Sequence, residues 1–400
     1  MGHEAESNAP RTSHTRATSP DRPLRVLHWL GGLGGGGVEN WMLQLIRELD
    51  PEQFQVDVMA LRPDGDRSED VRREAHRLIE CRISNARPVQ FLRRARSRML
   101  EFGPYDVFHC HIGISNGLAC VAAHQAGIPV RIAHSRGASA DFRSYNPVRW
   151  AYLQFARWAM RRHATHLLAI SSDAAQGLFG PTIETHPKYR RIVTSIDLEP
   201  FRAPVDGAKL RERWGIPADA KVIGHVARFQ EYKNHPFIVE MARELSGSSL
   251  RTHFLLVGDG SERAEIERQV AEHGLRDSFT FTGFQDNVPE LMQAMDLFVF
   301  PSKWEGLGRV IVEAQAAGMP CVISDAVPPV ATVVDEIVHR LPLSAGPAKW
   351  AGTAEAVLGA APVIDQATAF ARVEASEFNM AQSARVIADI YRQGCSAANC

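Results

Sequence analysis

From Leu24 onward the chain alternates short apolar runs with stretches of helical spacing. Residues 24–30, LRVLHWL, are apolar enough for a strand buried on both faces, and glycines follow them at once. Residues 38–50 place apolar side chains at helical period. Residues 54–61, 105–112, 129–135, 165–171 and 190–195 predict further strands. Helical stretches separate most of them, such as 116–127, which ends on Gly127 in a C-cap position. This alternation predicts a parallel sheet with helices on both faces.

The rhythm breaks over residues 197–220, which are richer in proline and charge, and then resumes. Strands are predicted at 221–229, 253–260, 279–283, 297–302 and 320–324, with helices between, such as 261–274. The fold class is therefore α/β, with two doubly wound domains facing a cleft. Ligands in such sheets sit at the carboxyl ends of the strands. The boundaries fall at 22–200 for the first domain and 201–377 for the second, with a final segment at 378–400. Residues 1–21 are polar and read as a disordered tail without the apolar centre of a signal peptide.

Composition narrows the picture only a little. The 400 residues are 45% apolar and 23% charged, with a formal net charge of −1. No global charge draws the protein to nucleic acid or anionic lipid, so such binding needs local patches. The six cysteines form no C-x-x-C pair and are read as reduced thiols of a cytoplasmic protein. No apolar run approaches a membrane span.

Residues 32–37 fit the pattern G-x-G-x-x-G after a strand and before a helix. Asp57 lies at the right sequence distance for a ribose-binding acid, but it sits mid-strand and not at a strand's carboxyl end. An NAD-dependent oxidoreductase therefore stays an alternative. The more general expectation is that Gly36 and Gly37 let backbone N–H groups approach a phosphate at a helix N-terminus. A plain flexible turn is the bland one.

The second half carries more chemistry. Arg228 and Lys233 flank a strand-to-helix loop, where a guanidinium and an ammonium can grip a diphosphate. Glu305 and Glu313 stand eight residues apart in EGLGRVIVE. On a continuous helix that is about 80° in azimuth and about 12 Å of rise, too far for one metal or an acid/base dyad. It suits two acids holding opposite ends of one elongated polar ligand. Surface cations, a helix-capping Glu305 and a solvated Glu313 are the ordinary alternatives.

Taken together these motifs resemble the retaining glycosyltransferases of family 4, with the GT-B fold of two Rossmann-like domains. The resemblance spans roughly residues 22–393 and is strongest for the polysaccharide-assembly members. It rests on Glu305/Glu313, Arg228/Lys233, the segment Gly36–Glu39, His134 in RIAHS, and the H-x-H pair His109/His111. It implies transfer of a sugar from a nucleotide-diphosphate sugar, a UDP-sugar favoured, to a saccharide or lipid-linked acceptor. No metal or other cofactor is implied. Arg228 and Lys233 would bind the diphosphate. Glu305, with the N–H groups of Gly306 and Leu307, would hold sugar hydroxyls, and Glu313 the ribose. Gly36 and Gly37 would approach from the first domain, His134 would lie near the transferred sugar, and the base would rest around Phe284–Val288. His109 and His111 alternate along a strand and face one side, for acceptor binding or for packing. The helix at 379–394 would cross back onto the first domain. A phosphorylase, an epimerase or a non-catalytic scaffold of the same fold are the competing readings.

One departure concerns the loop after the strand at 320–324. There SDAVPPVATVVDE replaces the family's usual G-G-x-x-E, which leaves donor-sugar contacts in that loop in doubt. Asp64-Gly65-Asp66 matches a D-x-D metal motif but is equally a turn signature. Two basic stretches, 86–100 and 146–166, cluster arginines, and the second interleaves Trp150, Tyr152, Phe155 and Trp158. That composition suits either peripheral binding at the cytoplasmic membrane face or partly buried helices with solvated arginines. It contains no nucleic-acid module.

Overall fold

A computed structural model describes residues 22–34, 36–83, 87–137, 146–203 and 205–398. The predicted tail, Gly35 and Cys400 lie outside this set.

The first domain is a seven-stranded parallel sheet. Its strands are β1 (Leu24–Leu30), β2 (Phe54–Ala60), β3 (Arg77–Glu80), β4 (Val107–Cys110), β5 (Val130–Ser135), β6 (His166–Ala169) and β7 (Tyr189–Arg191). Their order is β3-β2-β1-β4-β5-β6-β7. The second domain is a six-stranded parallel sheet of β8 (Lys221–Val226), β9 (Thr252–Val257), β10 (Phe279–Gly283), β11 (Leu297–Phe300), β12 (Cys321–Ser324) and β13 (Val338–Leu341). Its order is β10-β9-β8-β11-β12-β13. The pattern of apolar positions found the central strands and missed β3 and β13. Both are edge strands, and only Ile79 in β3 is buried. A half-solvated edge needs no continuous apolar run.

Each sheet has an apolar layer on both faces. In the first domain one layer holds Trp29, Phe91, Phe108 and Phe179, and Trp29 stacks on Phe91 at 5.3 Å. The opposite layer packs helix Gly37–Glu48 and the last helix, Met380–Ala398, against β1 and β5. Met380, Ile387 and Tyr391 bury themselves there, so the chain's end joins the first domain's core. Burying each such large side chain is worth about 1.5–3 kcal/mol. Two backbone bonds fasten the crossing: Ile196 N–H to Phe378 O at 2.8 Å and Met380 N–H to Ile196 O at 3.1 Å.

In each sheet the strand order reverses once, between β1 and β4 and between β8 and β11. Chain direction diverges there, and a crevice opens at the strands' carboxyl ends. The loops leaving β1, β5, β8 and β11 contribute to one interdomain cleft of about 540 Å³. A larger hollow of about 740 Å³ lies at the other end of the second sheet, by Lys221, Asp296 and Pro320, away from these loops.

Candidate active site

Two loops of the second domain build one wall of the cleft. After β8 the chain reaches the exposed Arg228 and a single 3-10 turn, Glu231–Lys233. Asn234 then takes a left-handed conformation, φ 61°, before helix His235–Leu245. Such a φ is uncommon outside glycine and is held by surrounding bonds. Here the Asn234 amide donates to Pro301 O at 3.0 Å, and Lys303 N–H donates to Tyr232 O at 2.8 Å. The loop after β8 is thus stapled to the loop after β11. Lys233 Nζ pairs with Glu305 Oε1 and lies 4.8 Å from the centre of the Phe300 ring. Residues 72 positions apart become direct neighbours.

The helical spacing assumed for Glu305 and Glu313 needs correction. Helix Arg309–Ala316 starts only after Gly308, whose φ of 77° ends any continuous helix from Glu305. A Cβ at Gly308 would also lie 2.9 Å from Ile311 Cδ1. Glu305 therefore sits in the loop after β11, paired with Lys233 of the neighbouring loop, while Glu313 sits one turn into the helix beside Arg309, at 3.7 Å. Arg228, Lys233, Glu305, Gly306 and Leu307 line the cleft, and so does Gly37 from the opposite wall. Gly36 caps helix Gly37–Glu48 without any side-chain hydrogen bond, leaving first-turn N–H groups for another acceptor. A side chain at Gly36 would meet Glu39 Oε2 at 2.7 Å. Glu313 reaches the cleft only through Arg309, and burial pushes its carboxyl above the usual range while Arg309 opposes the shift. Phe284 and Val288 do not line the cleft. Phe284 is 71% exposed beyond β10, and Val288 packs on the second domain's core.

The expectation for His134 is corrected, and for His109 and His111 the packing alternative is the one observed. His109, His111 and His134 are closed off from the cleft surface by Trp41 and by Tyr391 of the last helix, so none presents a face to a sugar. With His28 they form a buried chain of hydrogen bonds. His111 Nε2 meets His28 Nδ1 at 3.2 Å, and His28 Nε2 meets the Tyr391 hydroxyl at 3.1 Å. The hydroxyl meets His109 Nδ1 at 2.7 Å, and His109 Nε2 meets His134 Nδ1 at 3.0 Å. Burial pushes all four imidazoles down, His28 to about 3, so they stay neutral. Four neutral imidazoles and one phenol carry five protons, and the four bonds use four. The fifth sits at one end, on His111 Nδ1 or His134 Nε2, which are the two atoms without a partner. His28, His109 and His111 offer nitrogens within 4.8 Å of one another, close enough for a metal ion to draw together. His28 and His109 already use both nitrogens within the network.

Two cleft residues escaped sequence reasoning. Arg136 follows β5 and lies flat on Trp41, its Cζ 3.6 Å from the ring centre. Arg309 opens its helix with Nε buried and unpartnered. Arg309 lies within EGLGRVIVE but carried no signal by its spacing, and Arg136 stands one residue past RIAHS. Two decoys resolve as structure. Asp57 accepts from the Tyr105 hydroxyl at 2.6 Å inside the first domain, and Asp64 pairs with Arg82 at 2.5 Å.

Comparison with known proteins gives the family and the fold. The family model for glycosyltransferase family 4 matches residues 35–180, and that for glycosyl transferases group 1 matches 206–355. A Bacillus subtilis protein named as the glycosyltransferase EpsF is 37% identical over 333 residues, 82% of this chain and 86% of that one. The chain belongs to the family 4 glycosyltransferases. It is a glycosyltransferase of GT-B fold, and the oxidoreductase alternative is not favoured. An Escherichia coli enzyme, UDP-Gal:alpha-D-GlcNAc-diphosphoundecaprenol alpha-1,3-galactosyltransferase, is 26% identical over 72% of this chain and 76% of its own. The crystal structure of Anabaena HepE with UDP and glucose superposes with a TM-score of 0.67 at 20% identity, covering 92% of this chain and 98% of that one.

Proposed function

We propose that this glycosyltransferase moves a sugar from a UDP-sugar to a saccharide or lipid-linked acceptor in cell-surface polysaccharide assembly, with retention and without a metal. The observation that carries the reading is the convergence of Arg228, Lys233 and Glu305 on one wall of the interdomain cleft, opposite Gly37. HepE holds UDP and glucose, and the Escherichia coli relative is named for a UDP-sugar donor and a diphosphoundecaprenol-linked acceptor, which supports this donor and acceptor class.

The chemistry follows from charge. Breaking the bond between the sugar's anomeric carbon and the diphosphate leaves negative charge on the phosphate. Fixed cations and helix N-termini stabilise that charge most in the transition state. Lys233 is fixed before substrate arrives, since Glu305 and the Phe300 ring hold its ammonium. One of its three N–H groups serves Glu305, leaving others for phosphate oxygens. Glu305 accepts from sugar hydroxyls, and Glu313 is assigned to the ribose. On this reading no protein nucleophile acts. The acceptor hydroxyl bonds to the anomeric carbon from the face the phosphate leaves, and its proton passes to the departing phosphate oxygen. A panel of UDP-, GDP- and ADP-sugars, read by slow donor hydrolysis, tests the donor, and UDP-sugars are expected to turn over fastest. Proton NMR of the product tests the stereochemistry, and an inverted anomeric centre would end the retaining reading.

A lipid-linked acceptor calls for a membrane face. Helices Pro88–Phe102 and Pro147–His163 pack side by side on Asn116–Gln125 and expose Val89, Leu100, Trp150, Phe155 and Trp158. Arginines interleave with these apolar side chains, a composition suited to an anionic interface. Among the described residues no helix is long and apolar enough to cross a membrane. Flotation with anionic vesicles at low salt is the test, and a protein that stays at the bottom of the gradient lacks this docking.

A further inference from the structure

The first domain's wall of the cleft holds a cation that no described acid answers. Trp41 covers one face of the Arg136 guanidinium, and Nη1 donates to Thr194 Oγ1 at 3.3 Å. Nε and Nη2 are both out of water and have no partner among the described residues. Those two groups share one edge of the guanidinium, the edge that grips two oxygens of a single oxyanion. A buried donor left unmade costs about 1–3 kcal/mol, and more when it is charged. Burial and the nearby charge of Arg309 together pull the Arg136 guanidinium down to about 9. Arg309, across the cleft, has its own Nε buried and unpartnered, and Gly37 leaves room beside its Nη1, 4.0 Å from where a Cβ would lie. The cleft's acids do not answer this charge. Glu305 is taken by Lys233, and Glu313 lies beside Arg309 alone. Two cations facing one another across a lined cavity repel until an anion comes between them.

We propose that Arg136 and Arg309 form a second oxyanion site, distinct from the Arg228/Lys233 clamp, that receives a phosphate carried by the acceptor. This rests on the donor reading above, which places the nucleotide's diphosphate on the second domain's wall. The acceptor then enters from the first domain's wall, where Arg136 stands. The class of acceptor is a sugar joined to a phosphate or diphosphate.

Calorimetry of the full chain, first saturated with UDP and then titrated with inorganic pyrophosphate, tests the site. Pyrophosphate is expected to bind beside UDP. Arg136→Gln weakens it by about tenfold or more while UDP affinity moves by less than about threefold, and Arg136→Lys falls between, keeping charge without the fork. Without ligand, Arg136→Gln melts no lower than wild type, because it removes an unanswered buried charge. A merely structural Arg136 predicts the opposite. Pyrophosphate that only competes with UDP, or a variant that loses both ligands equally, overturns the second site. Glucuronate binding in place of pyrophosphate overturns the phosphate assignment. Arg136-dependent pyrophosphate binding by a protein that ignores UDP keeps the site and rejects the donor reading.

Discussion

The two walls of the cleft solve the problem of buried polarity in opposite ways. The second domain's wall pairs two of its three cations, Lys233 with Glu305 and Arg309 beside Glu313, and leaves Arg228 exposed to solvent. Its two loops are stapled through Asn234 and Lys303. The first domain's wall leaves Arg136 unanswered above a layer of neutral histidines. Paired charges on rigid loops suit a ligand whose position must be fixed before reaction. A lone cation over an uncharged, proton-balanced floor suits a partner that brings its own charge. Buried imidazoles make both domains sensitive to acid, and the four linked ones of the first domain are joined in the second by His225, His235 and His253, which burial also pushes down.

The largest expected effect breaks that floor. A histidine whose folded pKa lies below its unfolded value contributes stability that is complete above about pH 6.5 and is lost as pH falls, because only the unfolded chain takes up the proton. His28 is lowered to about 3, and His109, His111 and His134 also lie well below the ordinary value. Between about pH 6.5 and pH 5 each can cost up to about 1.4 kcal/mol per pH unit. Urea midpoints followed by circular dichroism should fall steeply over this range. His28→Asn should shed one proton's share of the slope, and an unchanged slope would exclude His28 from the linkage.

The next effect lies on the opposite wall. Lys233→Ala and Glu305→Ala should each lower turnover by about 10²- to 10³-fold, the usual scale for removing a preorganised group at developing charge. Either variant that keeps full turnover removes its residue from the site. Melting curves separate this from unfolding.

A smaller effect tests the histidine chain without altering any imidazole. Tyr391→Phe leaves His28 Nε2 and His109 Nδ1 without their shared partner and should cost about 1–3 kcal/mol of stability. Turnover at a permissive temperature should persist, since no member of the chain reaches the cleft surface. The smallest effect is on the outer face. Trp150→Ala with Trp158→Ala should move stability by no more than about 1 kcal/mol in total, as exposed positions do. A large drop in vesicle binding with unchanged melting would assign these side chains to the membrane.

Much of the architecture is legible in the pattern of apolar positions. The central strands are buried on both faces, so each is a mostly apolar run, and β1, β2, β8 and β9 fall close to where the pattern puts them. The edge strands β3 and β13 are half polar and leave no such run. Arg228, Lys233 and Glu305 were legible because each lies at or a few residues beyond the carboxyl end of a predicted strand, where ligands gather. The alternation of His109 and His111 gave their common side and nothing about what covers that side.

The local chemistry was thus written in the chain: which stretches alternate, which glycines open a helix, which loops carry charge. Only tertiary structure decided which charges meet. The Lys233–Glu305 pair closes over 72 residues, and the Tyr391–His28 bond over 363. Spacing along a strand or helix governs contacts within a few residues. Contacts between loops depend on sheet order and on where the last helix lands, and those are fixed by burial of the whole core. For the same reason Arg136 and Arg309 carried no signal singly. Their meaning lies in facing one another across a cleft that neither half of the sequence contains alone.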